Sequence, residues 1–219
     1  MNKLLCPSMN CANFDCLRDE TIALDMAGAD MFHMDICDGM LAPRLSMGIR
    51  DFQAVRRNTK KPVDVHLYMH NPMRFIELFV AEGADVIYVF PESEYFVANA
   101  LCKIRQLGKA PGLALGWGSP VEGLSSLLPL VEYVMVNTAD PVSPHRIFMD
   151  SAWDKLYRLI ELKEKYPFKI LVDGAISPEI IVRAAALGVD GFSMGTGCLF
   201  GQKDDYKAIF QCIRASIAV

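Results

Sequence analysis

Eight short, β-rich runs alternate with eight longer stretches at helical spacing, and this rhythm constrains the fold more than any other feature of the chain. Strands are predicted near Lys3–Cys6, Met31–Asp35, Val63–Leu67, Val86–Val89, Gly112–Leu115, Tyr133–Asn137, Lys169–Asp173 and Gly191–Met194. Helices are predicted near Phe14–Met26, Ile49–Arg57, Met73–Ala81, Glu94–Leu107, Val121–Leu127, Ala152–Lys165, Pro178–Ala186 and Asp204–Ala215. Pro72 and Pro178 stand where a first helical turn begins, behind Asn71 and Ser177 as N-caps. Three joins share one pattern: Ala27-Gly28-Ala29-Asp30, Glu82-Gly83-Ala84-Asp85 and Leu187-Gly188-Val189-Asp190. In each, a glycine ends a helix, where the left-handed conformation is common, and the next strand opens after it.

Alternation with such short connections requires parallel strands joined by crossover helices. A closed (β/α)8 TIM barrel of the α/β class, spanning residues 1–219 as one domain, is the economical solution. An open doubly wound sheet would place a glycine-rich fingerprint after the first strand, and Pro7-Ser8-Met9-Asn10 contains no glycine. With 52% hydrophobic and 22% charged residues, the chain can bury a core without staples. A net charge of −4 disfavours a nucleic-acid partner. A small acidic metabolite needs only local positive potential. Seven cysteines, an odd number with no C-x-x-C pair, disfavour a disulfide framework or zinc ribbon and fit reduced thiols. Met1–Pro7 does not read as a signal peptide, and no run approaches the ~18 apolar residues of a membrane span. A cytoplasmic protein without a membrane partner is expected.

Barrel active sites collect at the C-terminal ends of the strands. His33 and Asp35 stand at i and i+2 and therefore share a face, as do Asp64 and His66 on the next strand. Asp173 ends the seventh strand. His33, Asp35, His66 and Asp173 thus converge from three strands. That donor set suits one divalent cation such as zinc, iron(II), manganese or cobalt, with magnesium as a further option. Alone, each is a common structural hydrogen-bonding group; together they point to a site. Asp64 reads either as the partner that orients a ligand or as half of a buried ion pair. Asp35 and Asp173, three strands apart on the ring, approach a central ligand from different sides. One can remove a proton beside a carbonyl and the other return one to the opposite face, with the cation stabilising the enediolate charge. Gly174-Ala175 and Gly195-Thr196-Gly197 follow the last two strands, where barrels frequently hold phosphate on backbone amides, although turns there want glycine in any case.

At these residues the chain resembles the ribulose-phosphate 3-epimerase family, over nearly its whole length. Leu5-Cys6-Pro7-Ser8 is similar to the family's opening strand, Phe32–Gly39 (FHMDICDG) to its second-strand signature and Val63–Pro72 (VDVHLYMHNP) to its third. Leu171–Ile176 (LVDGAI) is similar to its seventh and Met194–Phe200 (MGTGCLF) to its phosphate-binding end. The resemblance implies a ribulose-phosphate-binding barrel that acts as a homo-oligomer, dimer to hexamer, on a ketose phosphate. It implies that His33, Asp35, His66 and Asp173 bind the metal and that Asp35 and Asp173 are the acid and base. It also implies substrate contacts from Ser8, His66, Gly174, Ala175, Gly195 and Thr196.

The departures from the family pattern cluster around the pocket. Cys37, Tyr68 and Asn137 stand where methionines are usual, Phe90 where histidine is common, and Gly116-Trp117 replaces Asn-Pro. VDGA replaces VDGG, and the glycine-rich loop after the sixth strand reads Pro141–Phe148 (PVSPHRIF), with Arg146 or His145 as candidates for phosphate and solvated loop charge as the other reading. A familiar core with an altered periphery suggests an altered sugar phosphate such as allulose 6-phosphate, with ribulose 5-phosphate close behind. Two other readings stand beside the epimerase. A related barrel aldol synthase or decarboxylase would need an Asp-x-Lys-x-x-Asp cluster, which the chain lacks. A non-catalytic sugar-phosphate-binding barrel would have no need of two opposed carboxylates. Cys37 reads as a small packing residue rather than a nucleophile, and Trp117 as either a sugar-stacking ring or a strand cap.

Overall fold

Among the described residues, nine strands form one sheet that curls until its two ends meet. The computed structural model describes residues 3–139 and 147–218. The strands are β1 (Leu4–Pro7), β2 (Phe32–Asp38), β3 (Leu45–Ser46), β4 (Val63–Tyr68), β5 (Val86–Val89), β6 (Ala110–Leu115), β7 (Tyr133–Asn137), β8 (Lys169–Asp173) and β9 (Gly191–Met194). Their order is β1-β9-β8-β7-β6-β5-β4-β2-β3, and only the short β3, which pairs with β2, is antiparallel. A parallel bridge between Ser8 and His33, and a hydrogen bond from the Asp30 N–H to the Leu5 carbonyl (3.0 Å), join β1 to β2 and close the TIM barrel.

Alternation sorts the side chains into two cores. One face of the strands supplies Leu5, Met34, Val65, Ile87, Leu113, Val134 and Ile170 to a layer shared with helical residues such as Leu24, Phe52, Ile76, Ile104, Leu156 and Ile181. Among the described residues these helices are α1 (Leu17–Ala27), α2 (Ile49–Arg56), α3 (Met73–Ala81), α4 (Val97–Gln106), α5 (Ser151–Lys163), α6 (Pro178–Leu187) and α7 (Tyr206–Ile217). The opposite face fills the barrel interior with Cys6, Tyr88, Ala114, Met135 and Leu171. Tyr88 is fully buried there, and Gly112 is its neighbour in the β5–β6 register. A Cβ on Gly112 would lie 2.3 Å from the Tyr88 ring, so the missing side chain is what makes room for the phenol.

The three Gly-x-Asp joins have a common structural job. Asp30 Oδ2 accepts the Leu5 N–H (2.8 Å) and binds Arg214 (2.7 Å). Asp85 Oδ2 accepts the Val63 N–H (3.0 Å) and binds Arg56 (3.0 Å). Asp190 Oδ2 accepts the Ile170 N–H (2.7 Å) and binds Lys163 (2.6 Å). Each aspartate precedes one strand and holds the start of its parallel neighbour, so the clamps sit at the end of the barrel opposite the strand C-termini. Gly28 (φ +112°), Gly83 (+99°) and Gly188 (+113°) adopt the left-handed conformation expected of them.

Several predicted elements are corrected. The helix expected over Val121–Leu127 is two 3-10 turns, Leu124–Ser126 and Leu128–Leu130, because Gly123 takes φ +90° and Pro129 has no N–H to donate. Asn71 does not cap α3; it sits at φ +51° and Pro72 takes the cap position. The helices expected from Phe14, Glu94 and Asp204 start later, at Leu17, Val97 and Tyr206. Ser177 caps α6 as expected, accepting the Ile180 N–H at 3.3 Å.

Gly112→Ala is expected to destabilise the fold by about 1–3 kcal/mol through overpacking against Tyr88. Gly118→Ala, where an added Cβ meets nothing within 4 Å, is expected to stay within about 0.5 kcal/mol of wild type. Urea denaturation of the two variants checks both.

Candidate active site

The β2–β4 register sets His33 beside Asp64 and Asp35 beside His66, so each imidazole faces a carboxylate across the ladder. All four side chains point into the barrel mouth and are buried. Asp173, at the end of β8, enters the same space with its side chain 14% exposed. Asp35 Oδ1 lies 3.2 Å from His33 Nε2 and 3.3 Å from His66 Nδ1, and Asp173 Oδ2 lies 3.9 Å from both nitrogens. Four candidate ligand atoms, one from each of His33, Asp35, His66 and Asp173, all lie within 4.8 Å of one another.

A divalent cation fits these residues. His33 Nε2, His66 Nδ1 and Asp35 Oδ1 are buried without a hydrogen-bond partner among the described residues, an expensive arrangement unless something binds them together. Donors bonded to one small cation at about 2.0–2.2 Å sit roughly 3–4 Å apart, which matches the spacings here. Asp64 Oδ1 accepts a hydrogen bond from His33 Nδ1–H at 2.6 Å, which fixes the tautomer and leaves the Nε2 lone pair free.

The carboxylates favour positive charge at this centre, carried either by a proton on His33 Nε2 or by a cation in that proton's place. Burial disfavours a charged His33, yet Asp64 and Asp35 outweigh it and raise its pKa well above the usual imidazole range. Asp35 is likewise desolvated, but His33 and then His66 hold its carboxyl far below the normal carboxylate range. Burial raises Asp173, and the Asp35 charge raises it further. Three buried carboxylates against two imidazoles leave a deficit of positive charge at the centre of the mouth. Burial and the neighbouring Asp35 push the Cys37 thiol up to about 11, consistent with a packing residue rather than a thiolate.

Two cavities flank the cluster. One, of about 190 Å³, is lined by Ser8, Cys11, Asp173–Ser177, Ser193 and Gly195–Gly197. It brings together Ser8, Gly174, Ala175, Gly195 and Thr196, the residues singled out by sequence for substrate and phosphate. Ala175 there holds φ +52°, a left-handed conformation that costs a non-glycine residue about 1–2 kcal/mol. The other cavity, of about 300 Å³, is lined by Leu41, Tyr68, Phe90, Glu92, Gly116–Ser119 and Asn137. Its Phe90 ring stacks on His66 at 5.1 Å, and the half-exposed Trp117 forms part of its rim. His145 and Arg146 lie outside the described residues.

A profile of the ribulose-phosphate 3 epimerase family matches residues 4–199. The chain belongs to the ribulose-phosphate 3-epimerase family. It is 30% identical over 213 residues to the ribulose-phosphate 3-epimerase of Bacillus subtilis, covering 96% of this chain and 97% of that one. The corresponding protein of Methanocaldococcus jannaschii is 32% identical over 207 residues, covering 93% and 86%. Among solved structures, KGPDC from Streptococcus mutans superposes with a TM-score of 0.73 at 12% identity, covering 100% of this chain and 98% of that one. A tryptophan synthase alpha-subunit from Pyrococcus furiosus superposes at 0.68 with 18% identity, covering 99% and 98%. These two likenesses concern the barrel alone.

Within this epimerase-family barrel, three residues of the mouth escaped the sequence reading. Ser193 and Cys11 line the cavity beside Asp173, and Arg44 approaches Asp35. Ser193 was legible in principle, two residues after Gly191 on β9 and hence on the inward face. Arg44 follows β2 on an irregular segment, where no periodicity reports direction.

Asp64→Asn is expected to weaken zinc or manganese binding by about 10–100-fold, measured by calorimetry, because the His33 ring loses the charge that orients it. Unchanged affinity would make Asp64 half of a structural ion pair instead.

Proposed function

We propose that this chain is a metal-dependent ketose-phosphate 3-epimerase that inverts C3 of ribulose 5-phosphate or allulose 6-phosphate. The observation that carries the reading is the pair Asp35 and Asp173, converging on one cation-ready cluster from β2 and β8 beside a cavity lined by the glycine-rich turns after β8 and β9. In the proposed reaction one carboxylate removes the C3 proton. The electron pair of the broken C–H bond forms the C2–C3 double bond, and the C2 carbonyl oxygen becomes anionic. The other carboxyl returns a proton to the opposite face of C3, and the carbonyl re-forms as the epimer. A divalent cation held by His33, Asp35, His66 and Asp173 supplies Lewis-acid stabilisation of the enediolate charge. The amides around Gly174, Ala175, Gly195 and Thr196, with Ser8, hold the phosphate. Burial of the cluster excludes water from the enediolate.

The names of the relatives support the pentulose, and the altered pocket wall of Tyr68, Phe90 and Asn137 supports the hexulose. A homo-oligomer belongs to the same reading through the family resemblance, a cytoplasmic setting through the odd, unpaired cysteine count, and Arg146 as a phosphate contact through the fit of a guanidinium fork to phosphate oxygens. No helix among the described residues is long and apolar enough to cross a membrane. Size-exclusion chromatography with light scattering is expected to give a dimer or larger assembly.

Proton NMR in D2O of the zinc-loaded protein with each ketose phosphate tests the reading. Deuterium is expected at C3 together with the epimer. Asp35→Asn and Asp173→Asn are each expected to lower turnover by about 10²–10⁴-fold with the fold intact, metal content being measured in the same samples. Near-normal turnover in either variant would contradict the two-carboxylate chemistry. Binding of the sugar phosphate by wild type without exchange would favour the non-catalytic barrel.

A further inference from the structure

The two oxygens of Asp35 face different surroundings. Oδ1 looks into the cluster, 3.2 Å from His33 Nε2 and 3.3 Å from His66 Nδ1. Oδ2 looks the other way, toward Arg44, whose Nη2 stands 3.8 Å from it. Arg44 is the only arginine or lysine that approaches the cluster among the described residues. Its side chain is 24% exposed, its guanidinium carbon lies 5.8 Å from the Tyr68 ring centroid, and its Nε is buried without a partner among the described residues. The guanidinium therefore stands in the mouth beside Asp35, Cys37 and Tyr68, within ion-pair rather than hydrogen-bond range of the carboxylate, and is not spread over the surface. A planar, permanently charged fork beside one oxygen of a carboxylate restricts how that carboxylate can rotate. Asp173 has no such neighbour: the basic groups within 4 Å of it are the two imidazoles of the cluster.

We propose that Arg44 is a positioning residue for one of the two proton transfers: it fixes the rotation of the Asp35 carboxyl, keeping Oδ1 turned to His33 and His66 and Oδ2 outside the cluster as the oxygen that exchanges the proton. The inference rests on the two-carboxylate epimerase reading and deepens it by making the two faces of the reaction depend on different residues. Asp35 then needs Arg44 to hold its reactive oxygen, whereas Asp173 keeps its geometry without it. A misplacement of about 1 Å at a reacting group is enough for a large loss of rate.

The test follows each face separately. Ribulose 5-phosphate and its C3 epimer, or allulose 6-phosphate and its C3 epimer, are each incubated in D2O with zinc-loaded wild type, Arg44→Met and Arg44→Lys. Loss of the C3 proton is timed by NMR from each pure epimer, and zinc affinity is measured by calorimetry. In Arg44→Met, proton loss is expected to slow about tenfold or more from one epimer and less than about threefold from the other. Net epimerisation slows with the affected face. Zinc affinity is expected to stay within about threefold of wild type, and Arg44→Lys is expected to recover part of the loss. Equal slowing from both epimers, no slowing from either, or collapse of zinc affinity would overturn the positioning role. Absence of proton loss from every epimer in wild type would instead overturn the epimerase reading on which it rests.

Discussion

The β2–β4 register is the constraint from which the site follows. It pairs His33 with Asp64 and Asp35 with His66, and these four groups are buried together in the barrel mouth. Side chains alternate between faces with a period of two, so a slip of one residue would turn the whole set outward. Placing two imidazoles and two carboxylates inside a barrel is costly unless they satisfy one another or share a cation. The arrangement does the first and is shaped for the second: Asp64 takes one edge of His33, and the remaining donors converge with Asp173.

Stability and chemistry are separated along the barrel axis. At the N-terminal end, Asp30, Asp85 and Asp190 tie β1, β4 and β8 to their neighbours through backbone N–H groups and basic side chains. Tyr88 fills the interior against Gly112. At the C-terminal end the strands release polar groups and two cavities of different character. The cavity beside Ser8 and Asp173 is rimmed by glycine-rich turns. The one beside Tyr68 and Phe90 is walled by aromatic rings that also pack on His66. The cluster thus lies between a cavity lined by glycine-rich turns and one walled largely by aromatic rings.

Much of this was legible in the sequence because it depends on periodicity and on strand ends. Among the described residues, the eight inner strands, the seven α-helices and the convergence of His33, Asp35, His66 and Asp173 are consequences of short-range pattern. The helix expected over Val121–Leu127 was not, because burial of Leu124 and Leu128 gives a helical spacing that Gly123 and Pro129 do not allow the backbone to follow. Asn71 resembled a cap, but capping depends on the dihedral angle of one residue, which composition does not report. The Gly-x-Asp repeat was visible, whereas the reason for its aspartate needed the partner strand in place. Arg44 was invisible for the same reason: its distance to Asp35 is set by the irregular chain after β2, not by a pattern.

The central claim is that one divalent cation sits among His33, Asp35, His66 and Asp173, with the two carboxylates on either side of the reacting carbon. A crystal structure of the manganese-loaded protein, with an anomalous difference map, tests it most directly. The account predicts one strong peak bonded to His33 Nε2, a His66 ring nitrogen, and one oxygen each of Asp35 and Asp173. A peak elsewhere, or full manganese binding that survives removal of both histidines, would contradict it.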